Sequence, residues 1–400
     1  MNILQINVVC GIRSTGRITT DLHAILLSQG HQSTIAFGRY EAKNCDHTIR
    51  IGSRLDKVVH IAQTRLFDQH GFGSITATKA FIAQIKTLNP DVIHLHNLHG
   101  YYLHIGLLFE YLKQANKSVI WTLHDCWAFT GHCSHFDFVG CERWKTECHN
   151  CPSKMDYPKS FIDNSQWNYR AKKELFLGLK DLTMVTPSEW LADLVKQSFL
   201  QNYPVVVINN GIDLEQFKPL SSTFRINHQL NDKFIVLGVA SDFSERKGYR
   251  YFIELSKQLK HDEQLVLVGL TEKQIKHLPT GVIGISKTNN TQELAEIYSA
   301  ADVFVNPTLE EVLGLVNIEA MACGTPVITF NSGGSPECLD ATCGLVVERG
   351  DLQGLITAIA TVRKNGKLFY TEHCQKRAHD WFDKDARFAE YVKLYSNYIS

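Results

Sequence analysis

Residues 306–337 read NPTLEEVLGLVNIEAMACGTPVITFNSGGSPE and contain the most informative pattern of the chain. The pattern predicts a loop that leads into a helix, followed by a small-residue turn and a β-branched strand. Glu311 and Glu319 would lie roughly 80° apart on such a helix, near enough to one side to reach one ligand. Gly314 allows close approach to the backbone, and the helix start after it attracts phosphate. One anion site and two carboxylates favour a sugar nucleotide; the alternative is two surface carboxylates near a helix start.

Outward from this segment, both halves of the chain show short β-branched runs followed by helical patterns, which is typical of parallel α/β layers. The predicted strands are 3–9, 34–37, 92–95, 119–123, 183–185 and 205–208 in the first half, and 235–239, 265–268, 282–284, 303–305 and 327–329 in the second. A chain of 400 residues suits two domains. We predict two doubly wound, Rossmann-like domains at 1–215 and 216–378, joined near NNGIDLEQFKP, and a terminal helix at 379–400.

Composition excludes several classes of protein. Lys plus Arg equals Asp plus Glu at 41 each, so no global basic field favours nucleic acid. No window approaches the length of a transmembrane helix, and the N-terminus MNILQINVVCGIRS lacks the features of a cleavable signal. These features predict a cytoplasmic protein. Peripheral attachment to the inner membrane stays open, although no basic amphipathic helix stands out in the first half.

Polar residues follow the predicted strands of the first half, where ligands bind in open α/β sheets. They are Arg13 and Gly16 after the first strand, His96 and Asn97 after the third, and His124 and Asp125 after the fourth. A neutral His124 could bond a sugar hydroxyl, or it could be satisfied by backbone. The GIRSTGRI loop resembles a P-loop but lacks its Lys and its magnesium-binding hydroxyl, and no dinucleotide fingerprint is present. A tight turn with amides near Gly16 remains, either for phosphate or for packing alone.

Residues 306–337, the NNGID segment and the cysteine stretch described below resemble the retaining family 4 glycosyltransferases, in which an E-x7-E pair precedes a glycine-rich loop. The resemblance covers nearly the whole chain and implies a GT-B architecture, with two facing domains and a deep cleft between them. It implies that Glu311 and His124 contact the transferred sugar and that Glu319 holds the ribose. It also implies that the terminal helix crosses back onto the first domain.

Cations follow the first strand of the second half, where Arg246 and Lys247 precede a glycine and could neutralise a departing diphosphate. The resemblance implies this role for Lys247. Ser241 stands about where the family carries an Arg, so Arg246 is the candidate substitute. The resemblance further implies that Ile285 lies near the base and that Leu315 and Val316 lie near the donor. Solvated loop charges are the alternative for both cations.

Four cysteines, Cys133, Cys141, Cys148 and Cys151, cluster in an insertion at 126–153 and end in the tight pair CHNC. This spacing favours a structural zinc, because four thiolates leave no open position for substrate. Reduced cysteines or a disulfide are the alternatives. The surrounding stretch resembles the colanic acid and O-antigen branch of family 4.

The resemblance therefore implies retaining hexosyl transfer from a nucleoside diphosphate sugar to a lipid-linked or polysaccharide-precursor acceptor, with Glu311, His124 and Lys247 as the catalytic set. Arg13, His96, Asn97 and Asp125 are the acceptor-side candidates. No D-x-D motif lies beside a plausible nucleotide site, so no cofactor is expected for catalysis. The alternatives are a nucleotide-sugar epimerase, a non-catalytic binding partner in polysaccharide assembly, and a cysteine-knuckle nucleic-acid binder, which the charge balance opposes.

Overall fold

The computed structural model describes residues 1–398 and divides the chain into two compact units. The first unit contains Met1–Ile208 together with the segment that begins at Phe388, and the second contains Asn209–Arg387. The sequence places the boundary a few residues later, at 215/216. Among the described residues, no helix is long and apolar enough to cross a membrane.

The first unit is built on a parallel sheet of seven strands in the order β3-β2-β1-β4-β5-β6-β7. The strands are β1 (Asn2–Asn7), β2 (Gln32–Phe37), β3 (Thr48–Arg50), β4 (Val92–Leu95), β5 (Ser118–Thr122), β6 (Leu182–Thr186) and β7 (Val205–Val207). Its helices are α1 (Arg13–Ser28), α2 (Arg54–Phe67), α3 (Ile75–Leu88), α4 (Ile105–Ala115), α5 (Ser165–Phe176) and α6 (Glu189–Gln197). The central strand β4 is buried at every position, as a sheet covered on both faces requires.

The second unit repeats this design with six parallel strands in the order β10-β9-β8-β11-β12-β13. The strands are β8 (Phe234–Val239), β9 (Glu263–Val268), β10 (Ile283–Ile285), β11 (Val303–Asn306), β12 (Val327–Phe330) and β13 (Gly344–Val347). The helices are α7 (Phe224–Asn227), α8 (Tyr249–Ser256), α9 (Glu272–Lys276), α10 (Thr291–Ala300), α11 (Leu315–Ala322), α12 (Leu352–Asn365) and α13 (Lys367–Phe382). In each sheet the strand order reverses beside the first strand of the unit, which creates a switch point between β1 and β4 and another between β8 and β11.

The predicted fold class, two doubly wound parallel-sheet units, is confirmed. Every predicted strand coincides with an observed one to within two residues at either end. The two strands without a prediction, β3 and β13, are both edge strands. Edge strands are partly exposed, and β3 has no buried position, so neither gives the continuous apolar run that marks a central parallel strand.

The single terminal helix predicted at 379–400 is wrong in its first part. Helix α13 ends at Phe382, and a separate helix, α14 (Lys384–Ser396), begins after Asp383. The break forms because Asp383 is extended and pairs with Ile212, and because its carboxylate accepts a hydrogen bond from the Ala386 amide at 2.9 Å. The later part of α14 packs into the first unit's core. Residues 399–400 of that prediction lie outside the described part of the chain.

Candidate functional site

Two oppositely charged side chains meet at the switch point of the second unit. Lys247 follows β8, Glu311 follows β11, and the Lys247 ammonium donates a hydrogen bond to Oε2 of Glu311. Both side chains are about one-fifth exposed. Burial would raise the pKa of Glu311, but the charge and hydrogen bond of Lys247 and the charge of Arg246 lower it below the usual value. The pair is therefore ionised and partly open to solvent, where a ligand can compete for either charge.

Two glycines allow the backbone to hold this pair. Gly248 has φ +74°, and a Cβ at this position would lie 2.0 Å from the carbonyl oxygen of Pro307. Gly333 has φ +57°, and its Cβ would lie 1.9 Å from the carbonyl oxygen of Glu311. The loop after β8 and the glycine-rich loop after β12 thus both close onto the loop after β11, which only glycine permits.

A buried polar network, which the sequence did not reveal, fixes helix α11 beneath this loop. The Asn317 amide accepts from Asn306 Nδ2 at 2.8 Å and donates to Ser335 Oγ at 2.8 Å. The Ser335 hydroxyl in turn lies 2.7 Å from that of Thr329. All four residues are buried, so each hydrogen bond is costly to lose. The network ties the ends of β11 and β12 to α11 and the glycine-rich loop.

Helix α11 begins immediately after Gly314, which has no side chain to cap it, so the amides of Leu315 and Val316 belong to a helix start without a side-chain partner. Glu319 lies within this helix, whereas Glu311 lies in the preceding loop. The expected 80° relation between the two carboxylates is therefore wrong, because only one of them is helical. Both still lie in the segment after β11.

Glu319 is buried, and its Oε2 accepts a hydrogen bond from the phenol of Tyr298 at 3.1 Å. Tyr298 is itself fully buried.

Two further donor-site candidates, Arg246 and Ile285, belong to the same unit. Arg246 donates to the carbonyl oxygen of Glu310 at 3.1 Å, which orients its guanidinium along the loop after β11. Ile285 ends the edge strand β10 and is half-buried.

In the first unit, imidazoles occupy the ends of β4 and β5. Nδ1 of His96 lies 3.1 Å from Nε2 of His124, and the two rings stack with an interplanar angle of 11°. Burial lowers the pKa of His124 to about 4 and that of His96 well below its usual value. Both rings are therefore neutral near pH 7 and can donate or accept hydrogen bonds. Nε2 of His96 is buried without a hydrogen-bond partner among residues 1–398.

Asp125 has a partner that the sequence did not indicate. Its Oδ2 lies 2.7 Å from Nε2 of His99, whose Nδ1 lies 2.9 Å from the phenol oxygen of Tyr157. Burial would raise the pKa of Asp125, but the charge and hydrogen bond of His99 bring it down to about 2. His99 and Asp125 therefore come together from the loops after β4 and β5.

The predicted loop at Gly11–Ile18 is helical over most of its length. Helix α1 begins at Arg13, and Gly16 is buried in its first turn. The Gly16 carbonyl accepts hydrogen bonds from the Gly11 amide and the Thr19 hydroxyl, both at 2.9 Å. Arg13 is exposed and donates to the Tyr40 hydroxyl at 3.1 Å. Asn97 is half-buried, and its amide lies 3.3 Å from Oδ1 of Asn7.

The four clustered cysteines line one small cavity of about 10 Å³, about the smallest space that holds a single water. All eleven cysteines are free thiols, and Cys133 and Cys151 share a hydrogen bond. His132, which sequence reasoning missed, also lines the cavity. Its Nδ1 lies 2.5 Å from Oδ1 of Asp68, and its Nε2 is buried without a hydrogen-bond partner in the described part of the chain.

These donors suit zinc in their chemistry, and a histidine oriented by a carboxylate is a common ligand arrangement. As the side chains stand, however, no three His, Cys, Asp or Glu residues among residues 1–398 converge closely enough to hold a metal ion. The zinc site predicted from the spacing of Cys133, Cys141, Cys148 and Cys151 therefore stays a prediction.

The paired α/β units, with charged and polar side chains at both switch points, define a GT-B glycosyltransferase fold. Sucrose-phosphate synthase from Thermosynechococcus elongatus has this fold, with a TM-score of 0.75 at 19% identity, covering 99% of this chain and 98% of that one. The structure of Anabaena Alr3699/HepE in complex with UDP-glucose gives a TM-score of 0.68 at 16% identity, covering 99% of this chain and all of that one.

The chain belongs to glycosyltransferase family 4. The model of Glycosyltransferase Family 4 matches residues 15–216, and the model of Glycosyl transferases group 1 matches residues 233–365. A putative colanic acid biosynthesis glycosyl transferase, WcaC of Escherichia coli strain K12, is 26% identical over 421 residues, covering 99% of this chain and 100% of the relative. The family resemblance inferred from the motifs is confirmed.

Proposed function

We propose that this family 4 enzyme transfers a hexosyl group, with retention of anomeric configuration, from a nucleoside diphosphate sugar to a lipid-linked or polysaccharide-precursor acceptor of the cell surface. The observation that carries the proposal is the ionised Lys247–Glu311 pair at the switch point of the second unit, close in sequence to the start of α11. A cation and a helix start suit the diphosphate, while Glu311 and Glu319 suit sugar and ribose hydroxyls.

The hard step is cleavage of the bond between the anomeric carbon and the phosphate oxygen, whose electron pair leaves with the diphosphate. Lys247, Arg246 and the amides of Leu315 and Val316 would stabilise that negative charge. The acceptor oxygen would attack the same face of the sugar, and its proton would pass to the departing phosphate oxygen. This balance needs no metal, so we propose a metal-independent transfer.

Nucleotide-sugar and polysaccharide chemistry are proposed on the basis of the relatives. One structural neighbour was solved with UDP-glucose, and the relative WcaC is described as a colanic acid biosynthesis glycosyl transferase. In the first unit, neutral His124 is proposed to bond a sugar hydroxyl, and Arg13, His96, Asn97 and Asp125 are proposed to contact the acceptor. The turn around Gly16 is proposed to contact the donor through the exposed residues on either side of this buried glycine.

The test begins with a panel of UDP-, GDP- and dTDP-sugars, scored by thermal stabilisation of the pure protein. The stabilising donor is then incubated with acceptor lipid, and the anomeric configuration of the product is determined by NMR, with and without EDTA. An inverted linkage would overturn retention, and activity that is lost with EDTA and restored by magnesium or manganese but not by zinc would overturn metal independence. Isomerised sugar nucleotide without acceptor would reveal an epimerase, and donor binding without consumption would reveal a non-catalytic partner.

We propose separately that the cysteine cluster binds a structural zinc. The shared cavity of the four cysteines and the partnerless Nε2 of buried His132 support this proposal. We expect one zinc per chain in protein purified under reducing conditions, and loss of that zinc in the Cys148→Ser variant. The buried Cys338→Ser variant, far from the cluster in sequence, is the control. Well below one zinc per wild-type chain would contradict the proposal.

A further inference from the structure

Helix α2 is amphipathic in the reverse sense, with polar residues buried and apolar residues exposed. Its buried side chains are His60 and Thr64, both 0% exposed. Nε2 of His60 accepts hydrogen bonds from the amides of Gly71 and Gly73 at 3.2 and 3.3 Å. The helix is therefore anchored by hydrogen bonds, which explains how it can leave its apolar residues outside.

The exposed side of α2 carries a continuous apolar stripe. Its members recur at helical spacing and lie on one face: Leu55, Val58, Val59, Ala62 and Leu66. Leu55 is 72% exposed, Val58 58%, Val59 57% and Leu66 54%. Scattered exposed apolar residues are ordinary, but a whole exposed stripe indicates an interaction surface.

A neighbouring segment enlarges this surface. The Phe161 amide donates to the carbonyl oxygen of Arg65 at 2.9 Å, which holds the segment against the C-terminal turn of α2. Phe161 is 60% exposed and Ile162 46%, and Phe67 at the end of α2 is 54% exposed. Together with the stripe, these residues form what we call the α2 surface.

The charge around the α2 surface is basic. Arg54 is exposed and Arg65 is half-buried at the border of the stripe, and no ion pair within residues 1–398 neutralises either cation. The helix has one acidic residue, Asp56, whose carboxylate already accepts hydrogen bonds from the amide and hydroxyl of Ser53. A second copy docking through the same face would bring these cations together, so an anionic partner is favoured.

We propose that the α2 surface docks onto an anionic phospholipid bilayer. The apolar stripe would enter the boundary between headgroups and acyl chains, while the long basic side chains extend to lipid phosphates. Only the biological role of this contact rests on the proposed function, because a lipid-linked acceptor would lie in a membrane. Helix α2 does not stand out in the sequence because its reversed polarity gives the same pattern as an ordinary core-facing helix.

The test is cosedimentation of the full chain with vesicles of phosphatidylcholine containing phosphatidylglycerol, beside vesicles of phosphatidylcholine alone. We expect binding to the anionic vesicles that weakens with added salt. The triple variant Leu55→Gln/Val59→Gln/Leu66→Gln should reduce partitioning at least about tenfold. Arg54→Gln/Arg65→Gln should reduce it several-fold on anionic vesicles only.

A matched control is available in the second unit, where Leu368 and Phe369 of α13 are 87% and 61% exposed. The variant Leu368→Gln/Phe369→Gln should bind vesicles as the wild type does. Wild-type protein that ignores anionic vesicles, or a triple variant that binds as tightly, would overturn the proposal. A wild-type dimer that the triple variant converts to monomer would assign the surface to a second copy instead. The assay needs neither donor nor acceptor, and thermal stabilisation by the donor in each variant separates this proposal from the transferase itself.

Discussion

The two switch points share one topology but differ in their chemistry. At the switch point of the second unit, the Lys247 ammonium and the Glu311 carboxylate pair as full charges. At the switch point of the first unit, the residues after β4 and the neighbouring β5 include His96 and His124, whose rings burial keeps neutral. The one carboxylate among the described residues there, Asp125, is already paired with His99. Charge suits an anionic diphosphate, whereas neutral donors and acceptors suit sugar hydroxyls. The same fold thus provides one site built on a lysine–glutamate pair and another that adds neutral imidazoles beside a paired carboxylate.

We expect the largest effect from removing the Lys247 charge at the switch point of the second unit. Lys247→Met keeps the length of the side chain but removes the ammonium, and it leaves the Glu311 carboxylate without its partner. We expect kcat to fall about 10²–10³-fold, the loss typical of one group that stabilises a developing anion. Glu311→Gln should lower turnover at least about tenfold. Steady-state kinetics with the donor found in the panel measure both.

The double variant sharpens this result, because two residues that act as a pair have non-additive effects. Lys247→Met/Glu311→Gln should therefore lose less activity than the product of the two single losses. The exposed pair of Lys218 and Glu215 in the same unit, 2.9 Å apart, provides the control. Lys218→Met should keep wild-type activity. Wild-type turnover in Lys247→Met would remove this residue from the proposed catalytic set.

The sequence predicted the position of Lys247 and Glu311 but not the contact between them. Both residues follow strands whose apolar runs are evident, so their placement at a sheet edge was predictable. Their hydrogen bond joins residues 64 positions apart, and no local pattern encodes it. The same limit applies to Asp125 and His99, which are 26 positions apart. The buried network around Asn317 was missed because Asn and Ser are ordinary loop residues until tertiary packing encloses them.

A smaller effect is expected at Glu319, where donor recognition and internal packing coincide. Glu319→Ala should weaken donor binding about tenfold, because a hydroxyl acceptor is lost. The change also leaves the buried Tyr298 phenol without this acceptor. Tyr298→Phe retains the carboxylate and should change donor affinity by less than about threefold. Calorimetric titration measures both, and equal losses in the two variants would assign Glu319 to packing alone.

The remaining errors concern helices α2 and α1, whose sequence patterns do not show which residues are buried or where the helix starts. An apolar helical stripe predicts a core face, so α2 is indistinguishable in sequence from a helix packed on the sheet. The structure reverses this because His60 binds two backbone amides in the loop that follows the helix. The start of α1 at Arg13 was hidden in a similar way, since Ser14, Thr15 and Gly16 favour a turn by composition but are helical.

We expect the smallest effect from mild acid, which should destabilise the first unit but not the second. The described histidines with a lowered pKa all lie in the first unit, and burial brings the pKa of His60 to about 3 and that of His124 to about 4. Their unfolded value is 6.5, so the unfolded state binds more protons below that pH. The stability they contribute is present above pH 6.5 and is lost progressively as the pH falls toward about 4.

Between neutral pH and about pH 5.5 we therefore expect each such histidine to cost the first unit about 1 kcal/mol, which is a several-fold faster opening per histidine. Hydrogen exchange followed by mass spectrometry resolves the units, with rates corrected for the intrinsic effect of pH. Peptides from β4 and β5 should lose protection in this window, while those from β11 and β12 should not, because the depression of the Glu311 pKa below 4.5 acts only at lower pH. Equal loss in both units would mean that the neutral imidazoles do not distinguish them.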